Sequence, residues 1–174
     1  MLYSEKKAFM KHLTHYKYVK GLSSKQRKYY WMSVTKAKVL KELYGEPYYP
    51  SLLIKQCSAE QEIKKDIDRT FQYVKQFKMK NGQDALFRIL KALAVHYPDI
   101  GYCQGMNFVA ATMLLVESEI DAFYLMMALI KNYKFKGIYG ENLRGTIEMC
   151  KVFDWLLSVY HPDLYEYLVT KCFI

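Results

Sequence analysis

Residues 106–116 read Met-Asn-Phe-Val-Ala-Ala-Thr-Met-Leu-Leu-Val. The stretch lacks a period-two alternation, and a helix wound through it is apolar on almost every side. Such a helix belongs in the middle of a bundle. Asn107, Thr112 and the stop at Glu117 make it too short and too polar to span a bilayer. The fold class this predicts is all-α, with helices packed around residues 106–116.

The flanking sequence is also helical in pattern. Leu86, Ile89, Leu90, Leu93 and Ala94 form an apolar stripe across residues 83–97, which Pro98 stops. Asn81-Gly82 predicts a break before it. Ser58 with Gln61 is a capping-box pair, opening a helix that contains Ile63, Asp66, Ile67 and Arg69. Gly45, Pro47 and Pro50 predict a break, with a short helix over 51–56. Ser23 or Ser24 caps a helix running to about Tyr44. Phe9, Leu13, Tyr16 and Val19 give residues 4–20 an amphipathic, Lys-rich helical pattern ended by Gly21. Downstream, helices are expected near 120–132 and 142–159, and His161-Pro162 opens a last one. Leu168, Val169, Cys172, Phe173 and Ile174 are apolar up to the end, which predicts a chain cut mid-domain or an end that docks.

The chain has 174 residues, 52% of them hydrophobic and 25% charged, which excludes a disordered chain. Eight Gly and four Pro exclude collagen-like and low-complexity readings. The net charge of +9 is uneven. Residues 1–41 hold 11 basic residues and one acid, leaving 15 basic and 16 acidic residues in a near-neutral body. A basic front end can dock on nucleic acid, anionic lipid or an acidic protein face, or simply solubilise helix faces. Cys57, Cys103, Cys150 and Cys172 are scattered, which fits reduced thiols inside a cell. His12 and His15 lack a matching ligand set, so no metal site is expected. No GxxxxGK[ST], GxGxxG, HExxH or GxSxG occurs, which removes the common nucleotide, zinc and serine-hydrolase signatures.

Two segments could carry chemistry. Asp66 and Arg69 lie one helical turn apart, where the carboxylate can orient the guanidinium or merely pair with it. Gly101-Tyr102-Cys103-Gln104-Gly105 precedes the apolar helix. Its Gln side chain, both donor and acceptor, can hold a water and a phosphate together or cap a structural turn. Cys103 has no base beside it in the segment, so a nucleophilic thiol is not expected.

With these motifs in their order, the chain resembles a TBC domain, the domain that activates GTP hydrolysis by Rab small GTPases. Gly21 with Arg27 and Trp31 matches the first motif. Ile63-x-x-Asp66-x-x-Arg69 matches the second, and Tyr102-x-Gln104-Gly105 the third. The likeness runs from about residue 20 to the end, so residues 1–19 are read as a basic leader and 20–174 as the N-terminal and central part of the domain. One departure is Gln72, where the family usually has Pro after Arg-Thr-Phe. The resemblance implies catalytic roles for Arg69, as an arginine finger, and Gln104, orienting the attacking water. It implies support from Asp66, Tyr102, Gly101 and Gly105, and a structural role for Arg27, Trp31 and Ile63. The chain would be an activator rather than an enzyme in its own right. The expected partner is a GTP-bound Rab with its own Mg²⁺, so this chain needs no cofactor. A cytoplasmic place follows, peripheral on endomembranes, with an anionic membrane surface as a second partner and nucleic acid not expected. The alternatives are a catalytically silent TBC-like binding or scaffold module, and a basic membrane-docking helical domain.

Overall fold

The computed structural model describes residue 21, residues 23–140 and residues 143–172. The amphipathic leader reading of residues 4–20 lies outside the described residues. Every regular element among those described is a helix: α1 (Ser24–Val34), α2 (Ala37–Tyr44), α3 (Tyr48–Leu53), α4 (Glu60–Ile67), α5 (Lys75–Lys78), α6 (Lys80–His96), α7 (Met106–Leu114), α8 (Glu119–Asn132), α9 (Phe135–Tyr139), α10 (Arg144–Tyr160) and α11 (Pro162–Cys172).

Local chemistry explains where the helices depart from the expected boundaries. Ser23 does cap α1, and the capping box is here. Gln26 N–H donates to Ser23 Oγ at 3.3 Å and Ser23 N–H donates to Gln26 Oε1 at 2.9 Å. The Ser58–Gln61 pair forms no such box, because α4 starts at Glu60 without a side-chain cap. Its first turn instead carries Glu60 and Glu62, whose charges suit the positive helix end. The single helix expected to Tyr44 is split. Thr35 Oγ1 donates to Trp31 O at 2.6 Å and accepts from Ala37 N–H at 3.2 Å, competing with the helical ladder. Lys36 then turns the chain at φ 63°.

The expected break falls at residues 45–47, and α3 then opens at Tyr48 rather than 51, since Pro50 in a first helical turn needs no N–H. Asn81-Gly82 lies inside α6, not at a break. The break falls at Met79, with extended backbone at φ −93° and ψ 138°. Gly82 serves close packing: a Cβ there would stand 2.1 Å from the carbonyl oxygen of Gln76.

The centre of the bundle is α8 with α6, not α7. Phe123, Tyr124, Met126 and Met127 of α8 are all at most 1% exposed, and α8 packs on α1, α2, α6, α7 and α9. The even apolar character of α7 misled because its outward side chains remain at the surface, Phe108 at 41% exposure. Its Ala110 and Ala111 are buried small side chains that allow a close approach to neighbours.

A polar clamp crosses the core edge. Arg88 donates from Nε and Nη2 to the two carboxylate oxygens of Glu119, each at 2.7 Å, and Tyr49 OH donates to Glu119 Oε1 at 2.7 Å. Burial would raise the Glu119 carboxyl, but these bonds outweigh it and hold the group below its usual range. The clamp joins α3, α6 and α8. At the far end of the chain, α10 has no buried residue, and Phe153, Trp155 and Tyr160 are largely exposed. No helix among the described residues is long and apolar enough to cross a membrane.

His96 closes α6 against Tyr48, with a hydrogen bond of 2.5 Å between the Tyr48 hydroxyl and Nδ1. Burial, and then Lys131, push the imidazole below its ordinary value. In the unfolded chain it takes a proton near pH 6.5, before the folded chain does. Stability carried by neutral His96 is therefore full above about pH 6.5 and falls away as pH drops through the lower folded value. Urea midpoints between pH 7.5 and 5 should fall less steeply for His96→Gln than for the unsubstituted chain. Parallel slopes would show that His96 carries none of the acid sensitivity.

Candidate functional site

The site grows from the end of α4. Ile63 is fully buried and anchors the helix, and Ile67 lies on the same inward side. Asp66, between them, is 6% exposed. The helix stops at Ile67, and the chain tightens into three-residue turns, with Arg69 N–H donating to Asp66 O at 3.2 Å and Thr70 N–H to Ile67 O at 3.0 Å. Arg69 therefore stands just past the helix, not within it as the pattern predicts. Phe71 follows at φ 44°, a left-handed conformation rare for an aromatic residue. Gln72, at the position of the expected Pro, donates from Nε2 to Asp68 O at 2.8 Å and so closes the loop with a side-chain bond.

The second half comes from the link between α6 and α7. Gly101 ends the turn after α6 at φ 64°, with its N–H donating to Tyr97 O at 2.8 Å. Gly105 opens α7 at φ 102°. Both positions demand positive φ, so glycine is what allows Tyr102 to point inward and Gln104 outward between them. Gln104 is exposed. Burial pushes the half-buried Cys103 thiol up, away from the reactive thiolate.

Asp66 joins the two halves. Arg69 Nη2 lies 2.6 Å from its Oδ1, and the Tyr102 hydroxyl donates to its Oδ2 at 2.6 Å. Burial first, then the Asp66 carboxylate, raise Tyr102 well above the usual phenol range, so it stays a donor. The Arg69 side chain keeps 53% of its exposure while its position is held from below.

A second link was not read from the sequence. Asn107 Nδ2 donates to Thr70 Oγ1 at 2.7 Å, Thr70 Oγ1 donates to Asp66 O at 2.6 Å, and Gly105 N–H donates to Asn107 Oδ1 at 3.0 Å. The signal available was one polar amide in an otherwise apolar helix. The ring of Phe71 meets that of Phe108 nearly edge-on at 5.4 Å, a second contact between the same two segments.

Of the expected residues, Asp66, Arg69 and Tyr102 are in direct contact, and Gly105 is tied in through Asn107. Gln104, two residues after Tyr102, is exposed at the surface. Arg27 and Trp31 are on α1, with Arg27 exposed and Trp31 packed against the core. Among the described residues, no cluster of three His, Cys, Asp or Glu could hold a metal ion. The arrangement offers a cation and an amide at the surface, both rooted in buried polar bonds.

The profile of the Rab-GTPase-TBC domain matches residues 24–173. The chain belongs to the TBC family. It is 34% identical over 127 residues to the GTPase-activating protein GYP5 of Saccharomyces cerevisiae, covering 72% of this chain and 14% of that protein. It is 30% identical over 152 residues to the Rab GTPase-activating protein eat-17 of Caenorhabditis elegans, covering 85% and 16%. This TBC chain thus spans about one-seventh of the length of those relatives. Its fold is similar to the TBC domain of a Chlamydomonas flagellar RabGAP, with a TM-score of 0.73 at 22% identity, over 96% of this chain and 61% of that one. The Ypt/Rab-GAP domain of Gyp1p matches with a TM-score of 0.64 at 19% identity, over 85% and 59%.

Proposed function

We propose that this TBC chain stimulates GTP hydrolysis by a Rab-family GTPase, supplying Arg69 and Gln104 in trans. The observation that carries this is the shared Asp66 carboxylate, which holds Arg69 on one oxygen and the Tyr102 of the Gln104 segment on the other. Two exposed groups that must meet one nucleotide are thereby rooted on a single buried anchor. The names of the relatives, which speak of GTPase activation, support the same reading.

The chemistry follows from the groups. Charge builds on the β/γ-phosphate oxygens as the terminal phosphoryl leaves, and a planar guanidinium meets two oxygens at once. Gln104 offers an acceptor for the attacking water and a donor for a phosphate or backbone oxygen. Rigid placement of both contributes because little reorganisation is left for the reaction itself. The nucleotide and its Mg²⁺ come with the partner, so the chain acts as an activator.

The reading extends to organisation and place. Residues 20–174 act as the catalytic portion, with 1–19 as a separate basic leader. The chain works in the cytoplasm at endomembrane surfaces, where the basic front attracts anionic lipid. The test is single-turnover hydrolysis across a panel of purified, GTP-loaded Rab GTPases, with this chain and its Gln104→Ala form. At least one Rab should be accelerated about 10³-fold or more, and Gln104→Ala should lose most of that. A panel without a responder sinks the proposal.

A further inference from the structure

We infer that Asn107 is a positioning residue that fixes the Gln104 peptide against the Arg69 loop, with Thr70 as its counterpart; this rests on the roles proposed for Arg69 and Gln104. Asn107 is 0% exposed and Thr70 1% exposed, so neither side chain can touch a partner protein. Whatever they contribute passes through the residues they hold.

The direction of each bond is fixed by chemistry. The single hydroxyl hydrogen of Thr70 goes to Asp66 O, so Thr70 Oγ1 can only accept on its other side. The amide nitrogen of Asn107 must therefore face Thr70, which leaves Oδ1 for Gly105 N–H. That N–H belongs to the peptide bond following Gln104, so the bond sets the orientation of the peptide from which Gln104 projects. The Thr70 end lies one residue after Arg69.

Two cross-links therefore bracket the two surface residues. Tyr102 to Asp66 lies before each of them in sequence, and Asn107 to Thr70 lies after each. One link leaves a rotation about itself. Two links at separated points remove it. The α7 residues Met106 and Ala110 near it are buried and apolar, so a polar side chain at this position needs partners to offset its desolvation. Asn at a buried position of an apolar helix needs every bond satisfied, and here both halves of the amide are used.

The experiment compares Thr70→Val, Thr70→Ser and Asn107→Leu in stimulated hydrolysis, titrating the chain against a responsive Rab. Thr70→Val keeps the shape and removes the acceptor, while Thr70→Ser keeps the hydroxyl. Thr70→Val and Asn107→Leu should lower the maximal rate about 10²-fold, the effect of a misplacement near 1 Å, with the half-saturating concentration within about twofold. Thr70→Ser should restore the rate. Thr70→Val added to Arg69→Ala and Gln104→Ala together should cause little further loss, because its effect runs through the two surface residues they remove. Amide exchange at Gly105, followed by NMR, gives a readout independent of activity, and should quicken about 10-fold or more in Thr70→Val, whose global melting stays within a few degrees. Full activity in Thr70→Val, or unchanged Gly105 exchange, overturns the positioning role. If the unsubstituted chain stimulates no Rab, the proposed function fails, and the Gly105 arm alone still decides whether the two loops are coupled through Asn107.

Discussion

Arg69→Ala should lower the stimulated hydrolysis rate by about 10³-fold or more, the contribution typical of a trans-acting arginine. It should do so with little change in folding. The Arg69–Asp66 pair is half exposed on the arginine side, where screening leaves ion pairs worth less than about 1 kcal/mol. Asp66 keeps the Tyr102 hydroxyl, and water can enter where the guanidinium stood. A drop in rate without a drop in melting temperature therefore isolates chemistry from stability. Arg69→Lys should recover little, because a point ammonium cannot span two phosphate oxygens as a planar fork does. Single-turnover assays at saturating chain concentration make the comparison. Rates within tenfold of the unsubstituted chain for Arg69→Ala would remove Arg69 from the reaction.

The largest single effect on stability is expected at Gly82. Alanine there would gain about 1 kcal/mol in helix propensity. Against that, its Cβ would stand 2.1 Å from Gln76 O and 2.9 Å from Gln76 C, both backbone atoms that cannot rotate aside. Relief requires moving α5 away from α6. Phe77 of α5 is 2% exposed, and Gln76 Nε2 donates to Leu114 O at 3.2 Å, so α5 is held on two sides. Overpacking typically costs 1–3 kcal/mol and more where the neighbour is fixed, so a net loss of about 3 kcal/mol is expected. In a chain of this size that lowers the melting temperature by about 10 °C. Thermal melting of Gly82→Ala at or above the unsubstituted value would refute the close-approach reading.

Much of the fold was legible in apolar spacing. The stripe from Leu86 to Ala94 is α6, and the helices near 120–132 and after His161 fall where the pattern puts them. What misled was chemistry that acts at one residue. Thr35 bends a helix through its own hydroxyl, and Asn81-Gly82 predicts a break where the missing Cβ of Gly82 instead serves packing. The burial of α8 is not legible from its ends, since Asp121 and Lys131 frame it with charge while the side chains between them are almost all inward. In the site, the Asp66–Arg69 spacing showed only that the two could pair. That Tyr102 shares the same carboxylate is a contact between segments 36 residues apart, which no local period encodes. The Asn107–Thr70 link is hidden for the same reason.

Both cross-links close within residues 66–107, a stretch spanned by α4 to α7. The Tyr49 arm of the Arg88–Glu119 clamp instead joins α3 to α8, 70 residues apart. Loop closure is less costly over the shorter span, and contacts of low sequence separation form earlier. The two surface residues are thus expected to order as one unit, ahead of the Tyr49–Glu119 contact. Slow-exchanging amides around Thr70 and Gly105 would then protect as a block, so that a chain caught part-way through folding already carries its working parts in register.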